Sequence, residues 1–135
     1  MKINSLYPVI GTKNIESSRA FYAEHFDMET TFDSDWYASM KTKGDSGFEL
    51  AFLDYTHPSV PVAFQVEGKG VLINIEVADV DQVYDRLGNK GVEMVLDIRS
   101  EEWGQRHFII QDPNGILVDV IQNIEASGEY AAQYQ

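Results

Sequence analysis

The stretch WGQRHFIIQDPNGILVDVIQ, residues 103–122, decides the fold. Its two arms alternate or run apolar over lengths suited to β-strands, about 105–111 and 116–122. Between them stands DPNG (112–115), a four-residue turn signal. The stretch therefore predicts a hairpin. It also contains an oddity: Asp119 lies among aliphatic residues, on the face shared by Leu117 and Ile121. A carboxylate there costs free energy unless it has a partner.

Reading towards the N-terminus, VLINIEV (71–77) is a strand candidate, and DVDQVYDRLGNKG (79–91) carries Val80, Val83, Tyr84 and Leu87 at helical spacing. Asp79 and Gln82 stand at capping-box spacing. A further strand is expected at about 93–98. The same order appears earlier in the chain. LYPVIGT (6–12) reads as a strand. NIESSRAFYAEHF (14–26) reads as a helix with Ile15, Ser18, Phe21 or Tyr22, and Phe26 on one side; Asn14 can cap it. Strand candidates follow at about 28–33, 36–42 and 47–53, separated by DSD and KGDSG. The helix starts, Ile15 and Val80, are offset by 65 residues. Two β-α-β-β-β units in one small chain form an internal repeat. The expected fold is α+β: module 1 at about 5–54, a linker at 55–70 with two prolines, and module 2 at about 71–122, together one domain over 1–122. The tail, 123–135, is weakly patterned; fraying is favoured over a short helix.

Composition narrows the function. The chain has 135 residues, 44% of them hydrophobic and 24% charged, with a net charge of −12. That charge repels a polyanion, and no basic run offsets it, so nucleic acid is not an expected partner. No apolar run is long enough to span a membrane. The start of the chain lacks the apolar core of a signal peptide, so a cytoplasmic location is the default. Cys is absent, which removes thiol nucleophiles and thiolate zinc sites. Neither a GxSxG elbow nor an HExxH motif occurs. His25, His57 and His107 fall on a helix, in the linker and on a strand, and none has a second ligand at i+2 or i+4 in its own element.

PVIGTKNIESSRAFYAEHF, EVADVDQVYDRLGNKGVE and WGQRHFIIQDPNGILVDVIQ together resemble the vicinal oxygen chelate superfamily, the glyoxalase and bleomycin-resistance fold, over residues 5–122. The resemblance implies a curved mixed sheet around a cleft, with helices on the outer face. It also implies a metal in many members, held by a His early in each half's first strand, a Glu in the fourth strand and a carboxylate at the position of Asp119. Here the first three positions fall on Tyr7, Leu72 and about Ala51, none of which is a useful ligand at neutral pH. A register shift would bring Glu49 to the fourth-strand position. Asp27 stands where the pattern usually has Gly; Asp tolerates the left-handed backbone better than most residues.

The branch without metal ligands, the bleomycin-resistance proteins, looks most similar: Pro8 early in the first strand, WGxR followed by DPxG, and marked acidity. That likeness implies a homodimer with exchanged N-terminal strands and a bound cationic drug. Strand faces supply the candidate ligand-binding residues: Tyr7, Trp36, Tyr37, Glu49, Asn74, Glu76, Trp103, Arg106 and Asp119, with Val9 and Leu72 beside them. Trp36 and Tyr37 are expected one on each face of the third strand. Aromatic faces and carboxylates both attract cations. Arg106 is an alternative partner for one of the carboxylates, which would leave no need of a ligand. The expectation is a metal-free, cofactor-free binding protein for a small cationic or aromatic molecule, without catalytic residues. The alternatives are a lyase, isomerase or dioxygenase of the same superfamily, using a divalent metal or a cleft carboxylate such as Asp119 or Glu49, and a non-catalytic interaction or regulatory module.

Overall fold

A computed structural model describes residues 1–45 and 47–134. The chain divides into two compact units, Met1–Lys69 and Gly70–Gln135. Each is a βαβββ module, and the architecture is α+β with two four-stranded mixed sheets.

The first unit holds β1 (Val9–Thr12), α1 (Ile15–Phe26), β2 (Glu29–Asp33), β3 (Tyr37–Lys41) and β4 (Glu49–Asp54), in sheet order β1-β4-β3-β2. β1 runs parallel to β4, and the other neighbours are antiparallel. β1 starts at Val9, three residues later than the alternation of 6–12 predicts. Pro8 has no N–H to give to the ladder; its carbonyl accepts from Ala51 N–H at 3.1 Å, and pairing begins after it. Asn14 caps α1, its Oδ1 accepting from Ser17 N–H at 2.9 Å. Asp27 ends the helix in the left-handed region at φ 56°. The helix buries Ser18 and Tyr22, and the Tyr22 ring stacks on Phe52 of β4 at 5.4 Å. Ile10, Ala38, Met40, Leu50 and Phe52 complete this core. Each fully buried large side chain there contributes about 1.5–3 kcal/mol. Residues with the opposite parity, Val9, Gly11, Tyr37, Ser39, Glu49, Ala51 and Leu53, form the face turned away from α1.

The second unit repeats this plan with β5 (Leu72–Glu76), α2 (Val80–Asn89), β6 (Leu96–Glu101), β7 (Gln105–Gln111) and β8 (Leu117–Asn123), in order β5-β8-β7-β6. Asp79 caps α2 by accepting from Gln82 N–H at 3.1 Å, and Gln122 accepts from Val80 N–H at 3.0 Å. Val80 and Leu87 are buried in the helix, and Phe108, Ile110, Val118 and Val120 are buried in the strands. β6 lies later than the expected 93–98, because Val92 N–H still closes the end of α2 on Leu87 O. The hairpin turn is held by Asp112, whose Oδ1 accepts from Asn114 N–H at 2.8 Å and Ile116 N–H at 3.0 Å. Gly115 supplies the positive φ, 80°, that this turn requires.

The tail is not frayed. Residues Gly128–Gln133 form a short 3-10 helix. Ile124 N–H donates to Gly104 O at 2.9 Å, Ser127 N–H to Glu102 O at 2.8 Å, and the Tyr134 hydroxyl to Trp103 O. These bonds occupy the backbone of the β6–β7 turn, which is why a weakly patterned segment is nonetheless docked.

Candidate functional site

On the face of the first sheet turned away from α1, a cavity of about 630 Å³ opens among Tyr7, Phe32, Trp36, Tyr37, Glu49 and Ser59, with Val9, Leu50 and Leu53 as aliphatic lining. Four of the nine expected residues, Tyr7, Trp36, Tyr37 and Glu49, meet here. Trp36 precedes β3, so strand alternation does not govern it; it lines the same cavity as Tyr37 rather than the opposite face. The aromatic rings touch: Trp36 and Tyr37 centroids are 5.7 Å apart, and Phe32 and Tyr37 6.1 Å. Burial, then Tyr7 and Glu49 nearby, pushes the Tyr37 phenol above its ordinary pKa, so it stays a neutral hydroxyl. Glu49 accepts from Ser5 Oγ at 2.7 Å. Lys41 stands opposite Glu49 across β3 and β4, but its side chain extends toward Gly47, and the described residues show no ion pair between the two. Among the described lining residues there is no Lys or Arg.

The second unit answers what Asp119 faces. β8 pairs with β7 so that Ile109 lies opposite Asp119 and Ile121 opposite His107, which puts His107 diagonal to Asp119 on the face away from α2. His107 Nδ1 is 2.7 Å from Asp119 Oδ1, and its Nε2 is 2.9 Å from Glu101 Oε2. Arg99 Nε donates to the same Glu101 oxygen at 3.0 Å. His107 is 4% exposed and Asp119 8%. Burial alone would lower the His107 pKa, but the hydrogen bonds to Glu101 and Asp119 outweigh it and hold the imidazole above its ordinary value. The same bond to His107 holds Glu101 below the usual carboxylate range. The line Glu101–His107–Asp119 is thus an internal ion pair, and Asp119 has a partner within its own sheet. A search for ligands within one element passes over this histidine. Counting outward from the DPNG turn finds it, since Gln111 stands opposite Leu117.

Of the other expected residues of this unit, three neighbour this line and one does not. Asn74 pairs in register with Asp119 and Glu76 with Ile121 on the exposed edge strand β5. Trp103 stands edge-on to His107 at 6.2 Å and to Tyr130 at 6.2 Å, and its indole N–H donates to Gln105 Oε1 at 2.8 Å. Arg106 does not join them. It points to the opposite, helix-bearing side, where it grips Asp81 of α2 through Nε at 3.0 Å and Nη2 at 2.8 Å. That fork follows from alternation: Arg106 and His107 are neighbours in one strand and must face opposite ways.

The family's metal does not fit these residues. Val9 pairs with Ala51 as Asn74 pairs with Asp119, so Ala51, not Glu49, occupies the first unit's counterpart of the Asp119 position. The register shift that would recruit Glu49 is therefore excluded. Tyr7 and Leu72 are not metal ligands, and Asp119 is already held by His107. The two nitrogens of that ring point at different carboxylates, so the three groups do not converge on one ion. Among the described residues no group of three or more His, Asp or Glu is placed to hold a metal. No helix among them is long and apolar enough to cross a membrane.

The duplicated βαβββ module and its paired first and last strands have a family. The sequence model of the Glyoxalase/Bleomycin resistance protein/Dioxygenase superfamily matches residues 4–120, and the chain belongs to that superfamily. Among solved structures, it is similar to a glyoxalase/bleomycin resistance protein/dioxygenase from Nocardioides, with TM-score 0.73 and 20% identity over 96% of this chain and 89% of that one. TnmS3, an antibiotic-binding protein from Streptomyces sp. CB03234, gives 0.71 and 21% over 91% and 98%. A lactoylglutathione lyase from Agrobacterium tumefaciens gives 0.68 and 14% over 90% and 96%. At these identities the likeness is one of fold. No curated protein matches the chain.

Proposed function

We propose that the protein is a metal-free binding protein for small cationic, partly aromatic molecules, which it holds without transforming them. The observation that carries this reading is the cavity of the first unit: four aromatic rings and one carboxylate, with no basic side chain among its described lining residues. Its volume lies within the range of sites for small ligands. A cation over an aromatic face gains about 0.5–2 kcal/mol, more as water is excluded. A charge-assisted hydrogen bond to a carboxylate adds about 1.5–3 kcal/mol. The net charge of −12 draws positive guests inward and holds anions off. A structural relative that binds an antibiotic supports small-molecule binding as one use of this fold. In the second unit the buried His107 has both ring nitrogens engaged by carboxylates, which does not suit it to act as a general acid or base.

Calorimetry and thermal shift with cationic drugs, including bleomycin-type glycopeptides, set against matched anions such as glutathione conjugates, test the reading. Cations bind, more weakly at high salt, and Glu49→Gln weakens them about tenfold, the loss of one charge contact. A preference for anions, turnover of a bound compound, or cation binding unchanged in Glu49→Gln overturns it.

A further inference from the structure

We propose that His57 is the positioning residue behind Trp36, and that through it the cavity selects flat cations over aliphatic ones. The proposal rests on the reading of this cavity as a cation site. β3 and β4 are tied at their ends by Asp54 N–H donating to Trp36 O at 2.9 Å. The chain then turns tightly. His57 N–H donates to Asp54 O at 3.0 Å, and the Asp54 carboxylate accepts from Thr56 N–H at 2.9 Å and the Thr56 hydroxyl at 2.7 Å. This turn lays the His57 imidazole flat on the Trp36 indole, with centroids 3.8 Å apart and planes at 12°.

The setting of that ring follows from its partners. Ser59 N–H points at His57 Nδ1 at 3.1 Å, and Ser59 Oγ lies 2.8 Å from the same nitrogen. A backbone N–H can only donate, so Nδ1 accepts from Ser59, which fixes the turn of the ring in its own plane. The imidazole is thus held as a flat plate against the indole. Trp36 and Ser59 line the cavity, whereas His57 does not. His57 thus backs the indole from outside the cavity, and the Ser59 clamp fixes the ring that does so. A guest meets an indole plane that is already oriented, and the cost of ordering that side chain on binding is removed. A flat guest gains from a fixed plane across its whole ring. A round alkylammonium, drawn mainly by Glu49, gains little.

The test uses the full chain and two probes, ethidium as a flat aromatic cation and tetraethylammonium as a non-planar one. His57→Ala is expected to weaken ethidium by about three- to tenfold, the usual worth of an aromatic pair, and to leave tetraethylammonium within about twofold. His57→Phe, which restores the plate, brings ethidium back to within about twofold of the parent. In a Trp103→Phe background the fluorescence of Trp36 reports the same contact: its anisotropy falls in His57→Ala and recovers in His57→Phe. The proposal is overturned if Trp36→Ala weakens ethidium while His57→Ala does not, or if both probes lose affinity equally in His57→Ala. If neither Trp36→Ala nor Glu49→Gln weakens either probe, the cavity reading itself fails, a result separable from failure at His57 alone.

Discussion

Replacing His107 by leucine weighs the ion pair that answers for Asp119. The parent ring touches two carboxylates at 2.7 and 2.9 Å and is nearly inaccessible to water. Leucine fills much of the space but leaves Asp119 buried without its partner. Removing one member of a buried charged pair costs about 3–5 kcal/mol. The lower end applies, because Glu101 keeps Arg99 at 3.0 Å and some contact with water. For 135 residues, an unfolding entropy of about 2.1 cal/mol/K per residue turns about 3 kcal/mol into a fall in Tm of roughly 10 °C. The pH dependence has a definite sign. His107 is raised in the folded state, so its contribution is full below the ordinary 6.5 and fades as pH rises through the folded value. Glu101 is lowered, so its contribution is full above the ordinary 4.5 and is lost as pH falls through its folded value. The gap in Tm between parent and His107→Leu is therefore widest between about pH 4.5 and 6.5 and narrows on going to pH 9. Differential scanning calorimetry across that range measures it. A double variant, His107→Leu with Asp119→Leu, should regain much of the loss, since removing both partners leaves no stranded charge. A His107→Leu melting curve within 2 °C of the parent at pH 5.5 would refute the reasoning and make the pair a solvated contact.

Two further outcomes are expected. Zinc, manganese or nickel added to metal-stripped protein should barely move its Tm; a metal present at a hundred times its dissociation constant would add about 2.7 kcal/mol, so tight binding of one ion per chain lost in Asp119→Ala would overturn the metal-free reading. Sedimentation at micromolar concentration should show a homodimer, in keeping with an exposed apolar set that includes Ile3, Leu6, Val9, Phe64 and Leu72; a monomer at every concentration would end that proposal while leaving the fold untouched.

Much of the fold was legible because each element carried its own local signal. The helical spacing of Val80 and Leu87, the caps Asn14 and Asp79, and the DPNG turn each dictate structure within a few residues. What the alternation could not convey was where pairing stops. Leu6 and Tyr7 alternate as well as Val9 does, but the ladder depends on the missing N–H of Pro8. The site divided in the same way. Tyr37 and Glu49 come together because strand parity places them, and Tyr7 joins them from the segment before β1. Arg106 lies apart from Asp119 because it is the strand neighbour of His107, whose parity it cannot share. His57 on Trp36 depends on the path of a tight turn, which no periodicity encodes.

The two units carry the same strand register, and their differences separate two roles for carboxylates. In the second unit the residue opposite Asn74 is Asp119, and it is held by an imidazole from the adjacent strand. In the first unit the residue opposite Val9 is Ala51, whose methyl group makes no electrostatic demand. The carboxylate there stands two residues earlier, at Glu49, beside Tyr7 and Tyr37, with a serine hydroxyl as its hydrogen-bond donor. A neutral hydroxyl leaves the charge of Glu49 uncompensated, whereas Asp119 is held at 2.7 Å by an imidazole whose pKa lies above its ordinary value. A positive guest therefore gains more at Glu49 than at Asp119, whose carboxylate already has His107 as its partner. The two substitutions should accordingly cross: Asp119→Asn lowers Tm and changes guest affinity little, while Glu49→Gln lowers affinity about tenfold and changes Tm little. Equal loss of affinity in both would refute this division of roles.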